Sequence, residues 1–237
     1  MIKATLFDLD GTLYDRDDVV QRVVAGQHTH FEAELGGLTP ERFIARVLEM
    51  DAHGYGDKAL GFKTLVAEWR LAPDLAERLC NHFWSHYDAA CQLPSDTALV
   101  LHTLRAHGMK LGVITNGGTE RQRAKLVALG LADAFDVVLI SEAEGTRKPE
   151  PEIFRRALQR CGVEAAEAVF VGDHPEADVE GARNAGLLPI WKYVPYWPLH
   201  SQDVATVHRL TEILPMCLPE LLEPASDADA RRSGGEA

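Results

Sequence analysis

Five short apolar runs recur along the chain, and each is nearly continuous in hydrophobicity rather than alternating with polar residues. They are IKATLF (2–7), KLGVIT (110–115), DVVLI (136–140), AVFVG (168–172) and LLPIW (187–191). Continuous runs are typical of parallel strands that are covered on both faces. Between the later runs, TERQRAKLVALG (119–130) and PEIFRRALQRCG (151–162) have helical spacing, and each ends in glycine, a common helix stop. This alternation predicts an α/β fold with a doubly wound parallel sheet.

The segment between the first two runs breaks the alternation, because its patterned stretches have helical spacing and none resembles a strand. The helix candidates are DDVVQRVVAGQHTHFEAEL, PERFIARVLEM, KTLVAEW and PDLAERLCNHFWSHYDAA. We therefore predict a Rossmann-like α/β core made of residues 1–15 and 93–223, with an all-helical cap subdomain inserted at 16–92. The polar and unpatterned end of the chain, 224–237, predicts a disordered tail.

Length, composition and charge limit the classes of protein to consider. The chain has 237 residues, enough for one large domain or two small ones. Its residues are 46% hydrophobic and 25% charged, which suits a globular protein with a sizeable core. The formal net charge is −12, and so acidic a surface disfavours nucleic acid and anionic membranes as partners. A small anionic substrate could still be held by a local basic group or a metal ion.

Three features of the sequence predict a cytoplasmic protein. The four cysteines are widely scattered and form no CxxC pair, which favours free thiols in a reducing compartment. The N-terminus, MIKATLFDLD, has charges on both sides of a short apolar run, unlike a signal peptide. No uninterrupted stretch approaches the roughly 18 apolar residues that a membrane-spanning helix needs.

The candidate functional residues follow the carboxyl ends of four predicted strands. These are Asp8 and Asp10 after the first run, Thr115, Asn116 and Gly117 at the end of the second, Lys148 beyond the third, and Asp173 and Asp178 after the fourth. Ligands of an open parallel sheet bind beyond the carboxyl ends of its strands. If the runs are adjacent strands, then carboxylates, a hydroxyl and a lysine collect in one crevice.

Several carboxylates at close range need a counter-charge, because they cannot all stay ionised without one. Mg²⁺ meets that need, since it prefers oxygen ligands. Asp8, Asp173 and the backbone carbonyl of Asp10 are suitable ligands for the ion. Mg²⁺ would in turn attract a phosphate group. The protein groups that would share this attraction are Lys148, the Thr115 hydroxyl and the N–H groups near Asn116 and Gly117.

Four motifs occur in order near these predicted strand ends and span most of the chain. They are DLDGT (8–12), VITNGG (113–118), RKPEPEIF (147–154) and VGDHPEADVEGARNAG (171–186). Together they resemble the four motifs of the haloacid dehalogenase superfamily of hydrolases. The helical segment after the first motif is similar to the small C1 cap of that superfamily. A lone DxD would be weak evidence, whereas four ordered motifs with a cap are specific.

The resemblance implies a Mg²⁺-dependent phosphatase that acts on a small phosphorylated metabolite. Asp8 would be the nucleophile that forms an aspartyl-phosphate, and Asp10 would be the general acid that protonates the leaving group. The remaining roles implied are phosphoryl binding by Thr115 and Lys148, Mg²⁺ coordination by Asp173 and support of the metal site by Asp178. The cap would close over the leaving group and exclude bulk water.

Several alternatives stay open. The superfamily also contains 2-haloacid dehalogenases, which attack carbon, and phosphomutases, which use another phosphoryl acceptor. Asp10 favours phosphoryl chemistry over dehalogenation, because a halide leaves without a proton whereas an alkoxide needs one. A non-catalytic module that binds a phosphorylated ligand is the third alternative. Also open are the choice between monomer and homodimer, the role of His174, and whether KYVPYWP (192–198) is a packed loop or an interface.

Overall fold

The computed structural model of the protein describes residues 1–198 and 203–222. In these residues the strands are β1 (Ala4–Phe7), β2 (Lys110–Thr115), β3 (Val137–Ile140), β4 (Ala168–Gly172), β5 (Leu188–Lys192) and β6 (Ala205–Val207). They form one sheet in the order β3-β2-β1-β4-β5-β6, and every neighbouring pair is parallel. The chain order reverses beside β1, and ligands of such sheets bind where this happens.

The central strand β1 explains why the apolar runs do not alternate. All four of its residues are buried, because β2 and β4 flank it and helices cover the sheet. Leu6 pairs with Gly112 on one side and with Phe170 on the other. A Cβ at Gly112 would lie 2.6 Å from the Leu6 side chain, so glycine leaves room for the core there. Phe154 packs edge-on against Phe170, with ring centroids 5.1 Å apart.

The predicted fold class is confirmed, since five strands overlap the five apolar runs to within two residues at each end. The sixth strand, β6, is absent from the sequence prediction. It is three residues long, lies at the edge of the sheet beside β5, and exposes two of its residues. Edge strands of this length carry no hydrophobic run that a pattern search could detect.

The helices account for most of the remaining chain. They are α1 (Arg16–His30), α2 (Pro40–Asp51), α3 (Lys58–Glu68), α4 (Leu75–Ala90), α5 (Ser95–Ala106), α6 (Thr119–Ala128), α7 (Ser141–Glu144), α8 (Pro151–Cys161), α9 (Gly181–Asn184) and α10 (Leu214–Cys217). A π-helical turn, Pro175–Glu180, precedes α9, and short 3₁₀ turns lie at Ala52–Gly54, Ala165–Glu167, Leu210–Ile213 and Pro219–Leu222. Gly162 ends α8 with a φ of +69°, as its position in the pattern predicts.

The described residues group into two compact units. The first holds the sheet and comprises 1–13, 94–119, 133–198 and 203–222, and the second is helical and comprises Tyr14–Leu93 and Glu120–Ala132. Most of α6 therefore packs in the helical unit, although in sequence it joins two strands. The Arg121 guanidinium lies over the Trp84 ring at 3.9 Å from its centroid, within that unit. The domain boundaries predicted from the sequence stay a prediction, and the predicted tail at 224–237 lies outside the described residues.

Side-chain caps start three of the four helices predicted in the segment 16–92. Asp15 accepts a hydrogen bond from the Asp18 N–H at 2.9 Å before α1, and Asp57 accepts one from the Leu60 N–H at 2.8 Å before α3. Thr39 caps α2. Each of these polar side chains satisfies an N–H group in the first turn of its helix, which fixes where the helix begins.

A buried ionic cluster joins three elements of the helical unit. The Arg16 guanidinium donates two hydrogen bonds to the Asp51 carboxylate, at 2.5 and 3.0 Å. Lys58 donates to the same carboxylate, whose side chain is 1% exposed. One buried anion thus pairs with two cations, and removing it would take this shared carboxylate from both, although Arg16 also lies 3.6 Å from Asp17.

None of the helices in the described part of the chain is long and apolar enough to cross a membrane.

Candidate active site

The chain passes from β1 into the candidate site at Asp8. The Asp8 N–H donates to the Val171 carbonyl oxygen at 2.9 Å, which extends the pairing with β4 by one residue. The Asp8 residue is 7% exposed, so its carboxylate is delivered into a buried position by the central strand. Asp10 follows two residues later and is half-buried.

Gly11 lets the turn after β1 approach Asp173 closely. Its φ is +84°, a left-handed conformation that favours glycine. A Cβ at this position would lie 2.7 Å from Asp173 Oδ2, so a larger residue would displace the carboxylate. The Thr12 hydroxyl donates to Asp173 Oδ1 at 3.5 Å. The DLDGT motif therefore shapes the surroundings of Asp173 as well as supplying two aspartates.

Lys148 connects two of the buried carboxylates. Its Nζ donates to Asp8 Oδ1 at 2.5 Å and to Asp178 Oδ1 at 2.6 Å, and its side chain is 2% exposed. Asn116 holds the Lys148 backbone through two hydrogen bonds. The Asn116 amide donates to the Lys148 carbonyl at 2.9 Å, and the Lys148 N–H donates to Asn116 Oδ1 at 3.0 Å. The Asn116 side chain thus positions the lysine.

Thr115 and Gly117 lie at the carboxyl end of β2. Thr115 is the last residue of the strand and is 1% exposed. The Gly117 N–H donates to the hydroxyl oxygen of Ser141, the first residue of α7, at 2.9 Å. A phosphate group would have to compete with Ser141 for this N–H. Phosphate binding by Gly117 stays a prediction.

Asp173 and Asp178 lie at the end of β4, and backbone contacts hold both in place. The Trp191 indole N–H donates to the Asp173 carbonyl oxygen at 2.7 Å. The His174 N–H donates to Asp178 Oδ2 at 2.9 Å, while Asp178 Oδ1 accepts from Lys148. A Cβ at Gly172 would lie 2.4 Å from the Asp178 side chain, so only glycine permits this approach.

Burial and like charge dominate the electrostatics of the site. Burial raises the pKa of Asp8 from its ordinary value of 3.8 to about 7, although Lys148 opposes the shift. Burial also raises the pKa of Asp173 well above its usual value, and the charges of Asp8 and Asp178 add to the rise. Burial works to lower the pKa of the Lys148 ammonium, but Asp178 and Asp8 together raise it. One ammonium does not compensate three buried carboxylates.

The three carboxylates fit a hard divalent cation. One oxygen from each of Asp8, Asp173 and Asp178 lies within 4.8 Å of the other two, and all three residues are buried. Across residues 1–198 and 203–222, this is the one group of three acidic, histidine or cysteine side chains with such spacing. Oxygen donors with surplus negative charge suit Mg²⁺, and a cation there would favour the ionised carboxylates.

The structure brings most of the predicted site residues to one end of the sheet. Asp8, Lys148 and Asp178 are joined by hydrogen bonds, and the carboxylates of Asp8, Asp173 and Asp178 cluster. The Asp10 carboxylate is not a member of that cluster, while Asn116 contacts Lys148 through its side chain.

Two residues of the site went unnoticed in the sequence. Trp191 holds the Asp173 backbone, and Ser141 holds the Gly117 N–H. Their positions in the sequence could have indicated this role, because Trp191 lies near the carboxyl end of β5 and Ser141 directly follows β3. Polar-tipped residues at strand ends that adjoin a cluster of acids are candidates for such support.

Comparisons with known proteins point to one family. The family model for haloacid dehalogenase-like hydrolases matches residues 2–186. The glyceraldehyde 3-phosphate phosphatase of Methanopyrus kandleri is 33% identical over 213 residues, which cover 86% of this chain and 91% of that protein. A HAD phosphatase from Thermococcus onnurineus aligns with a TM-score of 0.62 and 29% identity, over 91% of this chain and 97% of that one. The 2-haloacid dehalogenase from Pseudomonas syringae pv. Tomato DC3000 aligns with a TM-score of 0.61 and 27% identity, over 93% and 100%.

An open parallel sheet with buried carboxylates at its strand ends defines the class as an α/β protein with an acidic strand-end site. The family match, which covers most of the chain, is more specific. The protein belongs to the haloacid dehalogenase-like hydrolases, and the resemblance of its four motifs to that superfamily is confirmed.

Proposed function

We propose that the protein is a Mg²⁺-dependent phosphatase that hydrolyses a small phosphorylated metabolite through an aspartyl-phosphate. The observation that carries this proposal is the group of three buried carboxylates. Lys148 bridges two of them, Asp8 beyond β1 and Asp178 beyond β4. Two of the similar proteins are named phosphatases. The proposal includes a cap at 16–92 that closes over the leaving group and excludes bulk water.

Asp8 is the proposed nucleophile. One of its carboxylate oxygens forms a bond to phosphorus while the bond from phosphorus to the leaving oxygen breaks. The attack needs an ionised carboxylate, and burial raises the pKa of Asp8 to about 7 even though Lys148 opposes the shift. The Lys148 ammonium, 2.5 Å from Asp8 Oδ1, favours the ionised form. The buried lysine therefore shifts the nucleophile toward its reactive state, and a bound cation would shift it further.

Asp10 is the proposed general acid and base. It donates a proton to the leaving oxygen in the first step. In the second step it takes a proton from the water that attacks phosphorus, which releases inorganic phosphate and restores the Asp8 carboxylate. The half-buried position of Asp10, outside the cluster of three carboxylates, supports a role in proton transfer.

The residues proposed to hold Mg²⁺ are Asp8, Asp173 and the carbonyl of Asp10. When bound, the ion supplies positive charge that attracts and polarises the phosphoryl oxygens. Asp178 supports the site by fixing Lys148. The surplus of carboxylates over ammonium is the observation that favours a cation here.

The remaining phosphoryl contacts are proposed to come from the segment after β2. Thr115 would donate its hydroxyl, and the backbone N–H groups of Asn116 and Gly117 would bind further oxygens. Binding at Gly117 requires the N–H to exchange its bond with Ser141 for one to phosphate. Such an exchange costs little, because one hydrogen bond replaces another.

The test is hydrolysis of p-nitrophenyl phosphate with and without Mg²⁺. Turnover should require Mg²⁺, stop on addition of EDTA, and be lost in Asp8→Asn. Asp133→Asn is the matched control, because it makes the same chemical change at an exposed carboxylate outside the site. Undiminished turnover in Asp8→Asn would falsify the role of Asp8 as nucleophile. Small phosphorylated metabolites, glyceraldehyde 3-phosphate first, should then be ranked by kcat/KM.

The same protein preparation separates the alternatives. The structural likeness to a 2-haloacid dehalogenase makes that activity the second candidate. Halide release from 2-chloropropionate without metal would support it, whereas Asp10 argues for phosphoryl chemistry. Phosphoryl transfer to a sugar phosphate without release of inorganic phosphate would indicate a phosphomutase. Binding of a phosphorylated ligand without any turnover would indicate a non-catalytic module.

A further inference from the structure

His174 lies at the start of the π-helical turn Pro175–Glu180, as the residue that caps it. Its backbone is extended, with φ −86° and ψ 120°. Pro175 has no N–H, so the first free donors of the turn belong to Glu176 and Ala177. Both donate to His174 Nδ1, at 3.2 and 3.1 Å. One ring nitrogen thus accepts the two first N–H groups of the turn.

We propose that His174 is a positioning residue, which uses Nδ1 as an acceptor to hold Asp178 and, through Asp178, the Lys148 ammonium beside Asp8. The inference rests on the proposed phosphatase function, because it assigns the lysine to the reaction. It goes beyond that function by assigning a task to His174, whose role the sequence leaves open.

A continuous series of hydrogen bonds carries the effect. His174 donates its N–H to Asp178 Oδ2 at 2.9 Å and accepts the Asp178 N–H at its carbonyl oxygen at 2.9 Å. Asp178 Oδ1 accepts from Lys148 Nζ at 2.6 Å, and Lys148 Nζ also donates to Asp8 Oδ1 at 2.5 Å. If the turn loosens, the Asp178 carboxylate moves, and Lys148 loses one of its two acidic partners.

The ring of His174 also packs against the segment 192–198. The Trp197 ring packs against it with centroids 4.6 Å apart, and Tyr196 packs against Trp197 at 5.7 Å. Because Nδ1 accepts two hydrogen bonds, it carries no hydrogen, and the neutral ring carries its proton on Nε2. Packing and tautomer together direct the acceptor toward the turn.

Three substitutions separate the acceptor from the rest of the ring. His174→Asn places an amide oxygen where Nδ1 lies, one bond from Cγ, and keeps the acceptor without the ring. His174→Gln carries the same amide one methylene further out, and His174→Ala has no acceptor. We expect kcat for p-nitrophenyl phosphate to fall about 10- to 100-fold in the Ala and Gln variants with KM little changed. The Asn variant should retain most of kcat.

A measurement on the Mg²⁺-free protein tests the hydrogen bonds directly. In His174→Ala, hydrogen exchange at the Glu176 and Ala177 amides should accelerate about 10-fold, and His174→Asn should restore protection. Wild-type kcat in His174→Ala, or equal loss in the Asn and Ala variants, would overturn the inference. If the wild-type protein has no phosphatase activity, the proposed function fails instead, and the exchange measurement still decides whether His174 holds the turn.

Discussion

Replacing Asp8 by asparagine should stabilise the Mg²⁺-free protein, and the gain should grow as the pH rises. The wild-type site gathers three buried carboxylates around one ammonium, so an ionised Asp8 is a cost to the folded state. Asparagine removes the charge but keeps the shape of the side chain. Lys148 still has Asp178 at 2.6 Å, so it does not become an uncompensated buried cation.

The size of the effect follows from the pKa of Asp8. That pKa is 3.8 for the ordinary group and about 7 in the folded protein. Between these two values the folded protein keeps a proton that the unfolded chain has released, so the free energy of unfolding falls as the pH rises. Each pH unit corresponds to about 1.4 kcal/mol. From pH 5 to pH 7 the wild type should therefore lose about 2 to 3 kcal/mol that Asp8→Asn does not lose.

The assay is urea unfolding in EDTA at pH 5 and pH 7.5, followed by tryptophan fluorescence. The difference in unfolding free energy between Asp8→Asn and the wild type should be larger at pH 7.5. Asp133→Asn is the control, since its carboxylate is exposed, and it should give the same small difference at both pH values. Added Mg²⁺ should stabilise the wild type more than Asp8→Asn, because the ion binds the folded state through carboxylates.

Two results would refute this reasoning. Destabilisation by Asp8→Asn at both pH values would mean that the attraction between Asp8 and Lys148 outweighs the burial of the carboxylate. A difference that does not change with pH would mean that Asp8 is ionised in the folded protein throughout this range. Either result would also remove the case for a cation as the missing counter-charge.

Three further substitutions should lower stability or Mg²⁺ binding, unlike Asp8→Asn, which should raise stability. Lys148→Met should destabilise the Mg²⁺-free protein by about 3 to 5 kcal/mol in the urea assay, because it leaves the buried carboxylates without an ammonium; unchanged stability would contradict this. Gly11→Ala should weaken Mg²⁺ binding in calorimetric titration, since its Cβ would lie 2.7 Å from Asp173 Oδ2. Gly108→Ala is the matched control, with a φ of +76° but no atom within 4 Å of the added Cβ, and equal weakening in both would refute the clash. Asp51→Asn should cost about 3 to 5 kcal/mol in thermal or urea unfolding, because two buried cations lose their carboxylate, and no loss would show that the cluster is solvated.

Some of the fold could be read from local sequence alone. The runs at 2–7 and 168–172 are continuous in hydrophobicity because their strands are buried on both faces. Burial on both faces requires apolar residues at successive positions, which a pattern search detects. Helix starts at Asp15 and Asp57 depend on side chains within three residues. The three-residue strand β6 and the packing of α6 in the helical unit have no comparable pattern in the neighbouring sequence.

The features of the site also fall into those that local sequence predicts and those that depend on the fold. The residue types that follow the strands are visible in the chain without a structure, since Asp8 and Asp173 each come directly after an apolar run. The order of the four motifs was enough to indicate the family. Three contacts became visible with the fold. Asn116 holds the Lys148 backbone, Trp191 holds Asp173, and His174 accepts two N–H groups of its own turn. The bonds of Asn116 and Trp191 join residues 32 and 18 positions apart, and the tightest ion pair of the site joins residues 140 apart. Such contacts depend on which strands become neighbours, and that depends on the packing of the whole sheet.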